Sequence, residues 1–373
     1  MRFTISREHF VKGLGVASKA IVSKTPVPLL MNLKLTLDNR GLVVVGSNGE
    51  MTIQSIIPYK IGNEDIIRNA SKGETLVGSK IITDIARCVE GKEITLEVVD
   101  DTIIKIDDGK SSFQLNSIRA EEYPEINLDV EGTQFDIDCS MLSAIVDQTA
   151  FAASTKDQRP ILKALNLEIA EGFLSATATD SARMAKKQLP IDINDSIAAN
   201  ISAKTIVDIT RLFENEKSAH VSISEKKIMF IFGSTTVSAT LINGEYPNTK
   251  NIVPKNFSYF LEANAQELVS AMERVALISG EKENVIKLTM TEDAIEVSAK
   301  SSQTGSASEN IGTFQYSGER LEISFNCNYV ISAIRAIKSE DVTLAFIGEM
   351  KPFVIRNDKD DSVIQLVTPL RTY

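Results

Sequence analysis

Three stretches of this sequence, SKIITDIARCV from Ser79, AKTIVDITRLF from Ala203 and CNYVISAIRAI from Cys327, align without a gap. Each start lies 124 residues after the one before, at positions 79, 203 and 327, and Arg87, Arg211 and Arg335 fall in register. So do Ile82, Ile206 and Val330, followed one turn on by Ile85, Ile209 and Ala333. Ile82, Ile85 and Val89 occupy i, i+3 and i+7, the apolar stripe of a helix lying on a core. Lys80, Asp84 and Arg87 share another face, repeated as Lys204, Asp208 and Arg211 and then as Asn328, Ser332 and Arg335. Ser79 and Asn326 are the expected N-caps. One helix recurring three times at constant spacing implies three copies of one unit.

The rest of the chain obeys that frame. A second helix precedes each of the first, with Phe10 and Leu14, Leu142 and Val146, and Leu268 and Met272 in equivalent places. Between helices the residues alternate in strand fashion, as in LKLTLDNRGLVVVGSN, LNLEIAEGFLSATATD and IKLTMTEDAIEVSAKS. Paired strands follow the second helix, and each copy closes on one more, in SFQLNSIRAEEYP, TVSATLINGEYP and SVIQLVTPLRTY. Helix, hairpins, helix, hairpins is an α+β unit with two helices packed on antiparallel sheets. The expected domains are residues 1–127, 128–254 and 255–373, divided at Ile126–Asp129 and Val253–Asn256. No Gly/Ser linker separates them, so the copies are expected to stack rigidly.

Composition narrows the function. The chain has 373 residues, 43% hydrophobic and 24% charged, and with 6% aromatics and no Trp its core is expected to be aliphatic. No run of about 18 apolar residues occurs, and MRFTISREHFVKG lacks a signal core, which points to the cytosol. Cys88, Cys139 and Cys327 are far apart and read as small buried hydrophobes, with neither a disulfide framework nor a zinc site. A net charge of −10 argues against a sequence-reading DNA binder, although a locally basic surface stays possible.

The MRFTISREH start, PLLMNLKL, FQLNSIRAEEYP, TATDSARMA, GEYPNTKNIVP and the TPLRTY end resemble, over the whole chain, the β subunit of bacterial DNA polymerase III, the β sliding clamp family. The resemblance implies three tandem DNA-clamp domains, joined head to tail with a second copy as a homodimeric ring of six. It implies a processivity factor without catalysis or cofactor, encircling double-stranded DNA without reading its sequence. Basic residues then belong on the inner surface, and Lys24, Lys80, Arg87, Lys156, Lys204, Arg211 and Arg335 are the expected set. Asp84 and Asp208 dilute that field, which suits weak, mobile phosphate contact.

Carried over residue by residue, the resemblance also implies a hydrophobic cleft between the second and third domains. It takes short peptides with Leu and Phe anchors from the polymerase, the clamp loader and repair proteins. Its wall is expected to include Leu162, then Thr179, Ser181, Ala182, Arg183 and Met184. Pro247, Asn251 and Ile252 follow, with Asn326, Tyr329 and Pro352. The tail adds Leu366, Val367, Thr368, Pro369, Leu370 and Arg371. Ser181-Ala182, Asn251 and Thr368 depart from the pattern of better-known clamps, which carry Gly and His, Arg and Met there. The dimer contact implied joins the helix Ser79–Val89 and edge strands around Thr102–Asp108 to the helix Gln266–Ser279, with Leu277 and Ile278 as apolar contributors.

Two rivals are weaker. A hydrolase needs a nucleophile with a base or a carboxylate cluster, yet His9 and His220 are isolated and read as surface residues. Asp100-Asp101, and Asp358 with Asp360-Asp361, read as hairpin turns. No Gly-rich phosphate cradle follows a strand. A repeat-built protein scaffold that ignores DNA fits the composition equally well, and only the clustering of basic residues separates it from a clamp.

Overall fold

Each repeat begins on a lead strand that runs without a loop into a helix: Arg2–Ser6, Thr133–Asp138 and Tyr259–Asn264. The computed structural model describes residues 1–100, 102–156, 158–193, 195–280 and 284–371; Asp101 of the expected Asp100-Asp101 turn lies outside them. Among the described residues the six α-helices are α1 (Arg7–Ser18), α2 (Ser79–Cys88), α3 (Cys139–Thr149), α4 (Ala203–Thr210), α5 (Ala265–Ala276) and α6 (Cys327–Ile337). Their apolar stripes are buried, with Ile82, Ile85 and Val89 joining Phe10 and Leu14 in the first core, and Val330 and Ala333 joining Leu268 and Met272 in the third. The cores are aliphatic with a few rings, such as Phe3 edge-on to Phe10 at 6.2 Å.

The caps divide. Asn326 caps α6, its Oδ1 accepting the Tyr329 N–H at 3.3 Å, while Gly78 and not Ser79 is the cap of α2. Ser79 is instead the first helical residue, and its hydroxyl reaches Ser18 Oγ at 2.9 Å. Cys139 and Cys327 are buried as expected, but Cys88 is exposed because it sits on the polar face of the last turn of α2.

The hairpins build sheets that ignore the repeat boundaries. In the first repeat the strand Met51–Ile57, here termed the bridging strand, pairs antiparallel with Thr235–Thr240, the closing strand of the second repeat, with Ile53 opposite Val237. The same join recurs between the bridging strand Arg183–Pro190 and the third repeat's closing strand Asp360–Val367, with Ala185 opposite Gln365. One eight-stranded and one nine-stranded sheet result. The central repeat is consequently split between two compact units, Met1–Cys139 with Asp208–Leu241, and Ser140–Val207 with Ile242–Tyr373. At the second join Lys187 is almost fully buried and meets Asp360 at 3.2 Å. Ser362 first, and then Lys187, hold the Asp360 carboxyl below its ordinary value.

Among the described residues, two strands that follow this rule have no partner from another repeat. The first repeat's closing strand, Ser112–Asn116, ends the five-stranded sheet, and the third repeat's bridging strand, Gly305–Asn310, ends the four-stranded one. The expected edge at Thr102–Asp108 is thereby corrected. The strand Ile103–Asp107 is flanked on both sides, by Glu93–Val99 and by Ser112–Asn116, and one more hairpin places the edge at Ser112–Asn116. The turn feeding that edge is fixed by Asp108, whose carboxylate accepts the N–H groups of Gly91, Ser111, Lys110 and Glu90 and is held down to about 2 by them.

Candidate functional site

Met184 and Leu366 face each other directly across the second strand join. With Val354 they form a small apolar cluster on which Val253, Phe257 and Ile364 pack. Both are 3% exposed, so they make the floor of this surface and not its wall. Val367 departs from expectation further. Strand alternation turns it to the opposite face, where it joins the core of Phe353 and Phe346. Leu162 is also buried, in a short helical turn (Pro160–Lys163), its carbonyl accepting the Ser154 N–H at 2.8 Å. Ile252 and Leu370 are exposed apolar residues, Asn251 and Arg371 are exposed, and Pro247, Pro352 and Pro369 are half-buried. Thr372 and Tyr373, the end of the tail, lie outside the described residues.

The turn Thr179–Arg183 is built from its own side chains. Asp180 Oδ1 accepts the N–H groups of Ala182 and Arg183 at 2.9 and 3.0 Å, and Thr179 Oγ1 donates to the Arg183 carbonyl at 2.6 Å. Thr179 N–H donates to the hydroxyl of Tyr246 at 3.0 Å, a phenol that burial pushes up to about 12. Arg183 binds Asp180 at 3.1 Å and lies 4.5 Å from the ring centre of Tyr329 and 5.5 Å from that of Phe151. A guanidinium between two rings and a carboxylate is both oriented and partly desolvated. Burial, and then the Asp180 charge, raise the Tyr329 phenol. The tail is pinned against this turn, because Thr368 donates to the Ala182 carbonyl through N–H at 2.9 Å and through Oγ1 at 2.8 Å. Leu370 N–H then donates to Ser324 O at 2.7 Å. Asn326 is engaged in capping α6, so its part at this surface is to set the helix that presents Tyr329.

Ser181 holds φ +77°, a left-handed backbone that non-glycine residues adopt at a cost. Its side chain is exposed, so Ser181→Gly relieves strain without opening a cavity. The expected gain is about 1 kcal/mol in unfolding free energy by chemical denaturation; an unchanged or lower value would contradict it.

The basic residues fall into two groups. Lys80 and Arg87 stand exposed on α2 and Lys204 on α4, while Lys24 and Lys156 are exposed in non-helical segments. Arg211 follows α4 and meets Asp208 at 3.4 Å, and Arg335 is held by Glu273 at 2.6 Å. The expected set omits Lys12 on α1 and Lys19 at its C-cap, both exposed and seven residues apart, a spacing that could have revealed them. It also omits Arg7, which donates to the carbonyls of Ala86 and Arg87 at 3.1 and 2.6 Å and so caps the end of α2.

Leu277 is the C-cap of α5, 81% exposed, and Ile278 follows it partly buried. Both lie beyond the helix that was expected to carry them. Thr304 donates to the Ile278 carbonyl at 2.6 Å, and Arg274 of α5 binds Glu309 of the strand Gly305–Asn310 at 2.9 Å. The exposed leucine therefore belongs to the same corner as the unpaired strand edge. Among the described residues no cluster of three His, Cys, Asp or Glu side chains has the geometry of a metal site.

Shared sheets, open edges and a lined apolar surface define a repeat-built binding protein. Sequence comparison is specific: the N-terminal, central and C-terminal domains of the DNA polymerase III beta subunit match residues 1–129, 136–248 and 250–371. The chain belongs to the DNA polymerase III beta subunit family. Beta sliding clamps of Halalkalibacterium halodurans and Staphylococcus aureus are 33% and 31% identical, with all of each chain covered. The crystal structures of the DNA polymerase sliding clamp of Bacillus subtilis and the DNA polymerase III beta chain of Streptococcus pneumoniae each superpose with a TM-score of 0.96, at 29% identity and full coverage of both chains.

Proposed function

We infer that this chain is a sliding clamp, a non-catalytic processivity factor that encircles duplex DNA and tethers polymerase to it. The observation that carries the reading is the strand join made twice within the chain and left open once at each end. The repeats, superposed through their hairpin registers, place Ile53, Ala185 and Ala307 in equivalence, and likewise Val237, Gln365 and Phe113. The same rule applied a third time sets Ala307 of one copy opposite Phe113 of a second, and Gly305 opposite Leu115. The contact is heterologous, and two copies of it close a two-fold ring in which no strand edge of this kind is left open. Leu277 and Ile278 lie at that contact as its apolar element. Domains of residues 1–127, 128–254 and 255–373 fit this scheme, each boundary falling in the segment after a closing strand.

The helix cations then face DNA. Lys80, Arg87 and Lys204 carry the field, and Arg211 and Arg335 contribute less because Asp208 and Glu273 engage them. An acidic protein tolerates DNA in its hole because only the local potential matters. Arg87→Glu with Arg211→Glu is expected to lower retention on DNA, flattening the salt dependence by roughly one unit of slope for each phosphate left without its cation. The measurement is retention on circular duplex after loading, as a function of salt. An unchanged slope and unchanged processivity would remove these residues from the DNA-facing surface.

Polymerase, clamp loader and repair proteins would dock by short peptides on the surface floored by Met184 and Leu366. Its apolar area supplies affinity, and the Thr179–Arg183 turn and Thr368 supply orientation. A segment that orders on binding gives micromolar affinity as the natural scale. Its place of work is the cytoplasm, where DNA is replicated.

A further inference from the structure

Among the described residues, the lead strand of the central repeat ends its sheet, whereas the other two repeats cover theirs with strands of their own. Ile67–Ser71 pairs antiparallel with the outer side of the lead strand Arg2–Ser6, placing Arg68 opposite Thr4 and Ile67 opposite Ile5. Phe314–Ser317 does the same for Tyr259–Asn264. The central lead strand, Thr133–Asp138, has Ser218–Ile223 on its inner side and ends its sheet; among the described residues no strand flanks the other side. Among the described residues, a short antiparallel strand is thus seated at this position twice and not a third time.

The hydrogen-bonding phase of that edge follows from the first repeat. Ser6 N–H donates outward to Ile66 O at 2.9 Å, and Arg7 N–H inward to Lys92 O at 2.9 Å. Cys139, the counterpart of Arg7, likewise donates inward, to Lys217 O at 2.9 Å. Backbone groups alternate along a strand, so the N–H and C=O of Gln134 and Asp136 point outward. Asp136 occupies the place of Thr4, two residues before the end of the lead strand. Where Thr4 bonds Thr95 across the strands, Asp136 bonds His220 Nδ1 at 2.9 Å with its side chain 78% exposed. The edge strand itself, TQFDID, carries the two carboxylates Asp136 and Asp138 and no cation.

We propose that the outer edge of Thr133–Asp138 is a strand-addition site for an extended basic segment of a partner protein, bound antiparallel with Arg or Lys opposite Asp136. Main-chain bonds supply the attachment, and the acidic position selects the charge. The residue that the first repeat places there is Arg68. The proposed edge shares no residue with the peptide surface floored by Met184 and Leu366.

The probe is a fluorescent synthetic peptide with the sequence of Asp65–Lys72, titrated against the full-length protein by anisotropy, with hydrogen exchange followed over residues 131–139. Saturable binding in the sub-millimolar range is expected, with slowed exchange in that segment. Asp136→Pro removes an outward N–H and leaves the inner ladder bonds intact, and it should weaken binding at least tenfold. Asp136→Arg should do the same for this peptide and restore binding to a version with Glu at the position of Arg68. Absence of saturable binding, or equal affinity across these variants and both peptides, would overturn the proposal. In that event the acidic edge serves only to keep two such strands apart.

Discussion

Replacing Leu277 and Ile278 together by aspartate is expected to leave monomers in place of the proposed dimer. Leu277 is almost wholly exposed in the single chain, so it has apolar area to bury against a second copy. Full burial of one large aliphatic side chain contributes about 1.5–3 kcal/mol, and tenfold in affinity corresponds to about 1.4 kcal/mol. A ring contains the contact twice, so the loss is expected to exceed a hundredfold in the dimer constant. Sedimentation velocity reads the outcome directly, and an intact dimer would place the interface elsewhere. Ser308→Pro is an independent variant for the same contact. The first join shows the phase: Ile56 N–H donates across it to Ser234 O at 2.9 Å, and hairpin register makes Ser308 one of the matching outward donors. Proline there removes a bond from the partner strand and none from its own sheet, so monomers with an unchanged melting curve are expected.

Met184→Ala with Leu366→Ala is expected to abolish the proposed peptide docking while leaving the proposed dimer assembled. The two side chains are the floor of the surface, and their truncation opens a cavity under any leucine or phenylalanine anchor. Binding at the micromolar level is about 8 kcal/mol, so losing roughly 3 kcal/mol of apolar contact weakens it more than a hundredfold. Because both residues are buried, the fold loses stability too, by about 2–5 kcal/mol for each large-to-small change. Calorimetry and pull-down with a Leu- and Phe-bearing clamp peptide, alongside sedimentation, separate the two effects. Retained binding by a folded double variant would remove this floor from the docking surface.

The helices were legible because a 3.6-residue period writes both of their faces into a short window. Ile82, Ile85 and Val89 could lie only against a core, and Lys80 and Arg87 only away from it. What joins the repeats was not legible. Ile53 meets Val237, and Ala185 meets Gln365, across long separations, and strand pairing of that kind leaves no periodic mark in the chain. The edge was misplaced for a related reason: Thr102–Asp108 looks like any outer hairpin strand until Ser112–Asn116 is found to pair beside it. The face that Val367 takes was legible, since strand alternation puts its side chain opposite that of Leu366. The stacking of Arg183 on Tyr329 and Phe151 depends on residues from separate stretches, and only the folded chain shows them converging.

The measurement that tests the account most directly is retention on circular duplex DNA before and after a single cut. The protein is placed on a nicked circle by a clamp loader, freed of unbound material by gel filtration, and the circle is then linearised. A closed ring held by topology stays with the circle through high salt and runs off the linear product. Equal retention on circular and linear DNA would show ordinary contact binding, and would contradict the ring inferred from the two strand joins.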